Sequence, residues 1–245
     1  MKYIVSKFDA AEIANCTTGQ LLAGSPNVSF PGISIDTRTL LKGELFFAIR
    51  GPHLDGHKFI SNALAAEAGG VVAESASIDP DTFPSPKVLI KVQDTHQALK
   101  DLASSVRQKW QGTVVGLTGS MGKTTAKEFT AQILEMACSV YRTPGNYNNL
   151  YGLPLAIFGL KPENRIGIFE MGMSEPGEIA AMCRIAAPGI GIITNVAPVH
   201  LEFFHSLRDI ANAKAELAEA LPADGQRAQH IFRFQRWRRF PGGPG

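Results

Sequence analysis

A glycine-rich segment between a short apolar run and a helical pattern constrains the fold more than any other feature of the sequence. It consists of Gly119, Ser120, Met121, Gly122, Lys123, Thr124 and Thr125. Residues 113–118 before it are typical of a buried strand. The apolar residues after it recur at helical spacing, at Phe129, Ile133, Met136 and Val140. This order predicts a phosphate-binding loop, because backbone amides and the amino end of the helix surround phosphate oxygens there.

Two side chains of this loop would carry specific chemistry. In such loops the lysine, here Lys123, reaches the β- and γ-phosphates of a nucleoside triphosphate, and the hydroxyl at Thr124 binds Mg²⁺. The general pattern has glycine at position 117, but the chain has Leu117 there and its glycine one position earlier, at Gly116. The strict pattern fails by one residue, so a chance glycine-rich turn is the alternative.

Strands and helices alternate after the loop. Residues 166–169 and 190–193 are continuous apolar runs, as expected for strands buried on both faces, and residues 177–185 follow a helical pattern. This alternation predicts an α/β fold with a parallel sheet over residues 109–225. Ligands of such sheets bind at the carboxyl ends of the strands.

Residues 1–108 differ from the rest in pattern. They mix short apolar runs with turn signals, and they end with a predicted strand at 88–92 and a predicted helix at 96–110. We therefore divide the chain into two regions, with a boundary at residues 108–109.

Three polar residues after the loop are considered as candidate site residues because of their position. Glu170 ends the apolar run 166–169, where a carboxylate suits a magnesium ligand, although a surface glutamate is the alternative. His200 follows the run 190–193 and lies at the same expected edge, but a single histidine is often structural. Lys214 has the pattern of an ordinary lysine on a helix surface.

The net charge of +2 is unevenly distributed along the chain. Residues 226–245 contain five arginines and no acidic residue, so residues 1–225 carry a net charge of −3. A mildly acidic body argues against a nucleic-acid partner. The three cysteines, Cys16, Cys138 and Cys183, form neither a disulfide framework nor a metal-binding pair. No run reaches the length of a membrane span and the amino terminus lacks a signal-peptide pattern, so we expect a soluble, cytoplasmic protein.

Several segments together resemble the Mur ligase family. The loop at 116–125 is similar to that family's nucleotide loop, whose leading glycine is displaced in the same way. Further segments agree in order and approximate spacing from about residue 30 to 225: residues 36–39, 42–48, 55–60, 145–149, 152–155, 170–172, 177–179, 194–196 and 200–202. The resemblance implies a small amino-terminal UDP-sugar-binding α/β domain followed by a parallel-sheet P-loop ATPase domain.

The resemblance also implies roles at the nucleotide site. Lys123 and the loop amides would hold the phosphates of ATP, and Thr124 and Glu170 would bind one Mg²⁺. His200 would bind a second Mg²⁺. Lys214 matches the family lysine that is carbamylated by CO₂, which converts a cation into a carboxylate-like metal ligand.

Substrate positions are implied in two sets. Those near the uridine diphosphate would be Thr37, Arg38, Asp55 and His57. Those facing the muramoyl peptide would be Asn146 and Asn149. The motif at 145–149 is similar to that of the family member that joins D-alanyl-D-alanine to UDP-N-acetylmuramoyl-tripeptide. The implied mechanism is formation of an acyl phosphate from ATP, followed by attack of the dipeptide amine; the enzyme would work as a monomer.

Three alternatives stay open at this point. The chain could be a different ligase of the superfamily, such as a folylpolyglutamate-type enzyme or the Mur ligase that adds the third residue. It could be a non-catalytic fragment that only binds a UDP-sugar or nucleotide. An unrelated nucleotide-triphosphatase switch is the third, and the segments in residues 36–60 argue against it.

The sequence departs from the family pattern near Gly225. Residues 226–245 are rich in arginine and end in Pro241-Gly242-Gly243-Pro244-Gly245. We interpret them as a frame-shifted tail, with a genuine basic tail as the alternative. The ATP-binding domain is then expected to be incomplete at its carboxyl end, and the chain alone is expected to be inactive.

Overall fold

Two five-stranded sheets, joined by one long helix, organise the part of the chain that the computed structural model describes. The structure describes residues 8–51, 54–74, 78–198, 204 and 206–222, together with the backbone of 232–233. The α/β class inferred from the sequence is confirmed, with parallel strands in both sheets.

The first sheet lies in residues 20–92 and is mostly parallel. Its strands are β1 (Gln20–Ala23), β2 (Ile33–Ser34), β3 (Leu45–Phe47), β4 (Gly70–Glu74) and β5 (Val88–Val92). Their order is β1-β5-β4-β3-β2, and only the edge strand β1 runs antiparallel to its neighbour. The helices of this region are α1 (Ala10–Cys16) and α2 (Ile60–Ala65), with 3-10 turns at Gly56–Phe59 and Pro80–Thr82.

The second sheet is parallel throughout. Its strands are β6 (Thr113–Thr118), β7 (Val140–Arg142), β8 (Ile166–Glu170), β9 (Ile190–Ile193) and β10 (Phe232–Arg233). Their order is β10-β9-β6-β8-β7. The helices that accompany it are α4 (Lys123–Glu135), α5 (Gly152–Phe158), α6 (Glu178–Ala186) and α7 (Leu207–Glu219).

The central position of β6 brings three loops to one edge of the second sheet. Leu117 of β6 pairs with Glu170 of β8, and Thr118 pairs with Ile193 of β9. Because the strands are parallel, the segments that follow β6, β8 and β9 leave the sheet on the same side. The chain goes from β6 to β7 and β8 on one side and then crosses to β9 on the other, and ligands bind at such switch points.

Helix α3 (Thr95–Lys109) connects the two regions. Asp94 caps its amino end by accepting two backbone N–H hydrogen bonds. The helix contacts α1 in the first region and both α5 and α6 in the second. Its buried residues are Thr95, Ala98, Leu99, Leu102, Ala103 and Val106. One apolar cluster therefore extends from Phe8 in the first region to Met182 in the second. The predicted boundary at residues 108–109 falls at the carboxyl end of this connecting helix.

Helix α4 is shorter than the apolar pattern after the loop predicts. It ends at Glu135, and Val140, which the pattern assigned to the helix, begins β7. That part of the prediction is wrong, because the chain turns at residues 136–139 and returns to the sheet. The other apolar residues of the pattern point away from the sheet and are largely exposed: Phe129, Ile133 and Met136.

Most of the predicted tail, residues 226–245, lies outside the described residues. The backbone of Phe232–Arg233 is described, and it pairs in parallel with β9. The interpretation of this tail as frame-shifted stays a prediction. Among the helices that the structure describes, none combines the length and the apolar character that a membrane crossing requires.

The shared core predicts that one substitution in α3 affects both sheets. Leu102→Ala removes a fully buried side chain and is expected to destabilise the chain by about 2–5 kcal/mol. Hydrogen-exchange mass spectrometry should show faster exchange in peptides from both β5 and β8. Val71→Ala, in a cluster confined to the first region, is the matched control and should affect the first sheet alone. Faster exchange in only one sheet of Leu102→Ala would contradict the shared core.

Candidate nucleotide-binding and catalytic site

The phosphate loop is held in place by the segment that follows β9. The Thr194 hydroxyl donates to the carbonyl oxygen of Met121 at 2.7 Å, and the Asn195 side-chain oxygen accepts the amide of Met121 at 2.9 Å. Ser120 contributes in the same way, since its hydroxyl donates to the carbonyl of Ala197 at 3.0 Å. The loop conformation therefore depends on the neighbouring strand end as well as on its own glycines.

Glycine is required at the first position of the loop. Gly119 has a φ of +155°, and a Cβ there would collide with the Thr194 hydroxyl. Gly122 adopts the left-handed conformation, with a φ of +73°, at the residue that precedes α4. These two glycines allow the backbone to turn at the start of the helix, where phosphate-binding amides are placed. Lys123 folds back over the loop, and its Nζ donates to the carbonyl of Gly119 at 2.8 Å.

Thr124 and Glu170 lie together beside the loop. The Thr124 hydroxyl donates to Glu170 Oε2 at 3.1 Å. Neighbouring oxygen ligands in an octahedral Mg²⁺ shell, with bonds of about 2.0–2.1 Å, are roughly 2.9 Å apart. The pair therefore has both the chemistry and the spacing that Mg²⁺ requires. Glu170 is only 3% exposed, which excludes the surface-glutamate alternative.

The Glu170 carboxylate has two further polar neighbours. Asn148 Nδ2 donates to Glu170 Oε1 at 2.9 Å, and Lys127 Nζ lies 3.8 Å from Glu170 Oε2. Each carboxylate oxygen therefore has at least one partner from a different element. Neither Asn148 nor Lys127 was identified as a site residue from the sequence. The available signal was spacing, since Lys127 lies one helical turn after Lys123 and so on the same side of α4.

Lys214 is buried in α7, although its sequence pattern is that of a lysine on a helix surface. It is 2% exposed, so the surface-lysine interpretation is wrong. Burial and, to a smaller extent, the positive charge of Lys123 together lower the pKa of Lys214 from 10.5 to about 8. Desolvation and a like charge both favour the neutral amine, and a neutral amine is a nucleophile.

A cavity of about 650 Å³ lies between the phosphate loop, the segment after β7 and helix α7. Its lining includes Lys123 from the loop, Asn148 and Asn149 from the segment after β7, and Lys214 from α7. His96, at the start of α3, lines it from the side of the first region. The cavity thus joins the phosphate loop to the connection between the two regions.

His96 attaches α3 to the segment after β7. Its ring stacks on Tyr151, with centroids 4.0 Å apart and planes 7° from parallel, and its Nε2 lies 3.2 Å from the carbonyl oxygen of Leu150. Burial lowers the pKa of His96 below its usual value, so the neutral ring is favoured. This contact was not identified from the sequence, which offers no local signal for it.

The two predicted muramoyl-peptide residues have different surroundings. The Asn149 side-chain oxygen accepts the amides of Tyr151 and Gly152, at 3.1 and 2.8 Å, and so fixes the turn that leads into α5. Asn146 is exposed, and its carbonyl oxygen accepts the amide of Asn148 at 2.7 Å. Asn149 lines the cavity, whereas Asn146 helps to shape the turn that presents Asn148.

Thr37 and Arg38 lie in the turn after β2. The exposed guanidinium of Arg38 pairs with Asp36 at 2.6 Å, and this pairing lowers the pKa of Asp36 to about 2. Thr37 is half-buried beside them. These residues belong to the first region and do not line the cavity around Lys123.

His57 is tied into the fold through both ring nitrogens. The amide of Glu74 can only donate, so Nε2 accepts at 2.9 Å, and Nδ1 must carry the proton that is donated to Asp55 at 2.6 Å. This hydrogen bond lowers the pKa of Asp55. The His57 side chain is 6% exposed. A direct contact of His57 with a nucleotide stays a prediction, and its observed contacts orient Asp55.

His200 lies outside the described residues, so the second predicted metal ligand has no observed geometry. Within the described residues, Lys123 and Lys214 line one cavity, and Thr124 and Glu170 are in contact with each other; their roles stay predictions. The first-region set around Arg38 and Asp55 forms a separate group.

The collision at Gly119 yields a direct test of the loop. Gly119→Ala is expected to weaken nucleotide binding by at least about tenfold, since loop amides that donate to phosphate would be displaced. Isothermal titration calorimetry with ATP and MgCl₂ measures this change. Gly189→Ala, where a Cβ meets nothing within 4 Å, is the control and should bind as the wild type does. Unchanged affinity in Gly119→Ala would argue against phosphate binding by this loop.

The geometry agrees with comparisons to known proteins. Residues 29–107 match the family model "Mur ligase family, catalytic domain", and residues 117–233 match "Mur ligase middle domain". The UDP-N-acetylmuramoyl-tripeptide–D-alanyl-D-alanine ligase of Bacillus subtilis is 37% identical over 194 residues, covering 79% of this chain and 42% of the relative. The corresponding ligase of Escherichia coli is 36% identical over 215 residues, covering 88% and 46%.

Solved structures give the same result. MurF from Acinetobacter baumannii superposes with a TM-score of 0.80 at 28% identity, covering 88% of this chain and 47% of that one. The MurF ligase from Thermotoga maritima in complex with ADP has a TM-score of 0.69 at 36% identity, covering 78% and 43%. The chain thus spans about half the length of the curated relatives it matches. With two family models matched in order over most of its length, the chain belongs to the Mur ligase family.

Proposed function

We propose that this chain binds ATP and the UDP-linked substrate in a ligase that joins D-alanyl-D-alanine to UDP-N-acetylmuramoyl-tripeptide. The observation that carries the proposal is the cavity in which Lys123 of the phosphate loop, Asn148 and Lys214 meet. The relatives from B. subtilis and E. coli bear the name of this ligase, and the T. maritima neighbour is in complex with ADP. The reaction is a step of peptidoglycan precursor synthesis, and its nucleotide substrates favour a cytoplasmic location.

The proposed reaction has two steps and forms no bond to the protein. The terminal carboxylate of the tripeptide attacks the γ-phosphorus of ATP, which forms an acyl phosphate and releases ADP. The amine of D-alanyl-D-alanine then attacks the acyl carbon, loses a proton and expels phosphate. Lys123 and the amides of residues 119–125 bind the phosphate oxygens and offset their negative charge.

Thr124 and Glu170 are proposed to hold one Mg²⁺, which supplies charge neutralisation at the phosphates. A second Mg²⁺ is proposed at His200 and a carbamylated Lys214. The support for the carbamate is physical: with a pKa of about 8, roughly one amine in ten is neutral at pH 7. The neutral nitrogen can attack the carbon of CO₂ and lose a proton, which leaves a carboxylate-like group on the side chain.

The first region is proposed to bind the uridine diphosphate. Arg38 presents an 86% exposed side chain, and a guanidinium suits phosphate oxygens. Thr37 lies beside it in the same turn, and Asp55 is oriented by His57. Asn149 and Asn146 are proposed to face the muramoyl peptide from the segment that carries Asn148.

Substrate binding tests the proposal without requiring turnover. In isothermal titration calorimetry, the chain is expected to bind ATP with MgCl₂ and to bind UDP-N-acetylmuramoyl-tripeptide more tightly than the dipeptide precursor. Tighter binding of the dipeptide would indicate the ligase that adds the third residue. Binding of a folate in place of the UDP-linked compounds would indicate a folylpolyglutamate-type enzyme. If the chain binds neither ATP nor a UDP-linked compound, the proposal is overturned.

A ligation assay separates an enzyme from a binding module. ADP and the pentapeptide product are measured together after addition of all three substrates. Product formation would establish catalysis by the chain itself. Binding of both nucleotides with no ADP or product would favour the alternative of a binding module.

Carbamylation of Lys214 has its own test. With ¹³C-bicarbonate, NMR should show a carbamate signal in the wild type that is absent from Lys214→Arg, whose guanidinium does not react. The signal should increase as the pH rises through about 8, because the pKa of Lys214 is lowered to that value. Lys100→Arg, a change at a half-buried lysine of α3, is the control. A signal that persists in Lys214→Arg would assign the carbamate to another amine.

A further inference from the structure

Lys127 is a buried cation that the proposed reaction leaves without a role. It is 2% exposed and lies on the inner side of α4. Its Nζ donates to the carbonyl oxygen of Thr143 at 2.8 Å, and it lies 3.5 Å from Glu128 Oε1 and 3.8 Å from Glu170 Oε2. A buried ammonium is tolerated only where such partners replace water. Its position is therefore fixed by the two strand ends beneath it.

The two lysines of α4 face different partners. Lys123 donates to the phosphate loop through the carbonyl of Gly119, whereas Lys127, one turn later, donates to the segment after β7. Lys123 is available to phosphates at the loop, and Lys127 faces the carboxylate that would hold Mg²⁺. The same helix thus supplies one cation for the nucleotide and another for the metal ligand.

Glu170 is held from both of its oxygens. Asn148 donates to Oε1 at 2.9 Å, while Thr124 and Lys127 lie on the side of Oε2 at 3.1 and 3.8 Å. The amide of Glu170 donates to the Thr143 hydroxyl at 3.1 Å, so the residue that accepts from Lys127 also fixes the Glu170 backbone. Lys127 therefore lies beside the Glu170 carboxylate and also binds Thr143, the residue that accepts the Glu170 amide.

We propose that Lys127 is a positioning residue for the magnesium site, which keeps Glu170 Oε2 beside the Thr124 hydroxyl. The inference rests on the nucleotide site of the proposed function. Partners of metal ligands typically change metal affinity by about 10- to 100-fold when they are removed. A role limited to linking α4 to Thr143 would instead affect folding, and nucleotide binding with and without metal would change together.

The test compares nucleotide affinity with and without Mg²⁺. The affinity for a fluorescent ATP analogue is measured in MgCl₂ and in EDTA for the wild type, Lys127→Met, Lys127→Gln, Lys127→Arg and Glu170→Gln. Lys127→Gln keeps a donor for the Thr143 carbonyl but removes the charge. It therefore measures the effect of the charge on nucleotide affinity even if Lys127→Met does not fold. Lys42→Met removes an exposed lysine paired with Glu67 and is the control.

Lys127→Met and Lys127→Gln are expected to lose most of the enhancement by Mg²⁺, about tenfold or more, and to keep their affinity in EDTA. Lys127→Arg should retain part of the enhancement. The double variant Lys127→Met/Glu170→Gln should bind no more weakly than Glu170→Gln, because Lys127 acts through Glu170.

Three outcomes would overturn the inference. In the first, Lys127→Gln keeps the full enhancement, or its affinities in MgCl₂ and EDTA fall by the same factor. In the second, the double variant is weaker than Glu170→Gln by the full effect of Lys127→Met. In the third, the wild type binds the analogue without any enhancement by Mg²⁺. A wild type that binds no nucleotide in either buffer would instead reject the proposed function, and this inference with it.

Discussion

The parallel register of β6 with its two neighbours is the constraint on which the site depends. Leu117 is paired with Glu170 and Thr118 with Ile193, so three strands end at nearly the same level. A shift of one residue in β8 would turn Glu170 to the other face of the sheet and away from Thr124. The phosphate loop, the buried carboxylate and the segment 194–197 are close together because of this register.

A second constraint comes from α3, which is shared by both regions. Its apolar face is part of one core that includes residues on either side of it. The carboxyl end is fixed as well, since Arg107 donates to the carbonyls of Ala186 and Ala187 at 2.7 and 3.2 Å. The regions that would bind UDP and ATP are therefore packed on a common helix.

The sequence allowed prediction of those features that depend on residues close together in the chain. A strand followed by glycines and a helix predicted the loop between β6 and α4, and an acid at the end of an apolar run predicted the position of Glu170 at the end of β8. Contacts between distant parts of the chain could not be obtained in this way. Asn148 is 22 residues from its partner Glu170, and His96 is 54 residues from Leu150, so only the folded chain shows that they meet.

Motif residues also differ in ways that sequence does not reveal. His57 and Lys214 both belong to segments similar to the family, yet His57 has both ring nitrogens engaged within the protein, while Lys214 lines the cavity. Whether a polar residue is available to a ligand depends on which internal partners satisfy it. For His57 those partners are the Asp55 carboxylate and the amide of Glu74.

The stacking of His96 on Tyr151 has a thermodynamic consequence for communication between the two regions. Thr95, the adjacent residue, contacts Glu74 at the carboxyl end of the first sheet at 3.4 Å. Tyr151 is in turn close in sequence to Asn148, which holds Glu170. If the affinities of a ligand in each region both depend on this arrangement, each ligand would change the affinity of the other by the same factor. Thr95 and His96, the first two residues of α3, thus form the contacts through which the proposed binding events in the two regions would be coupled.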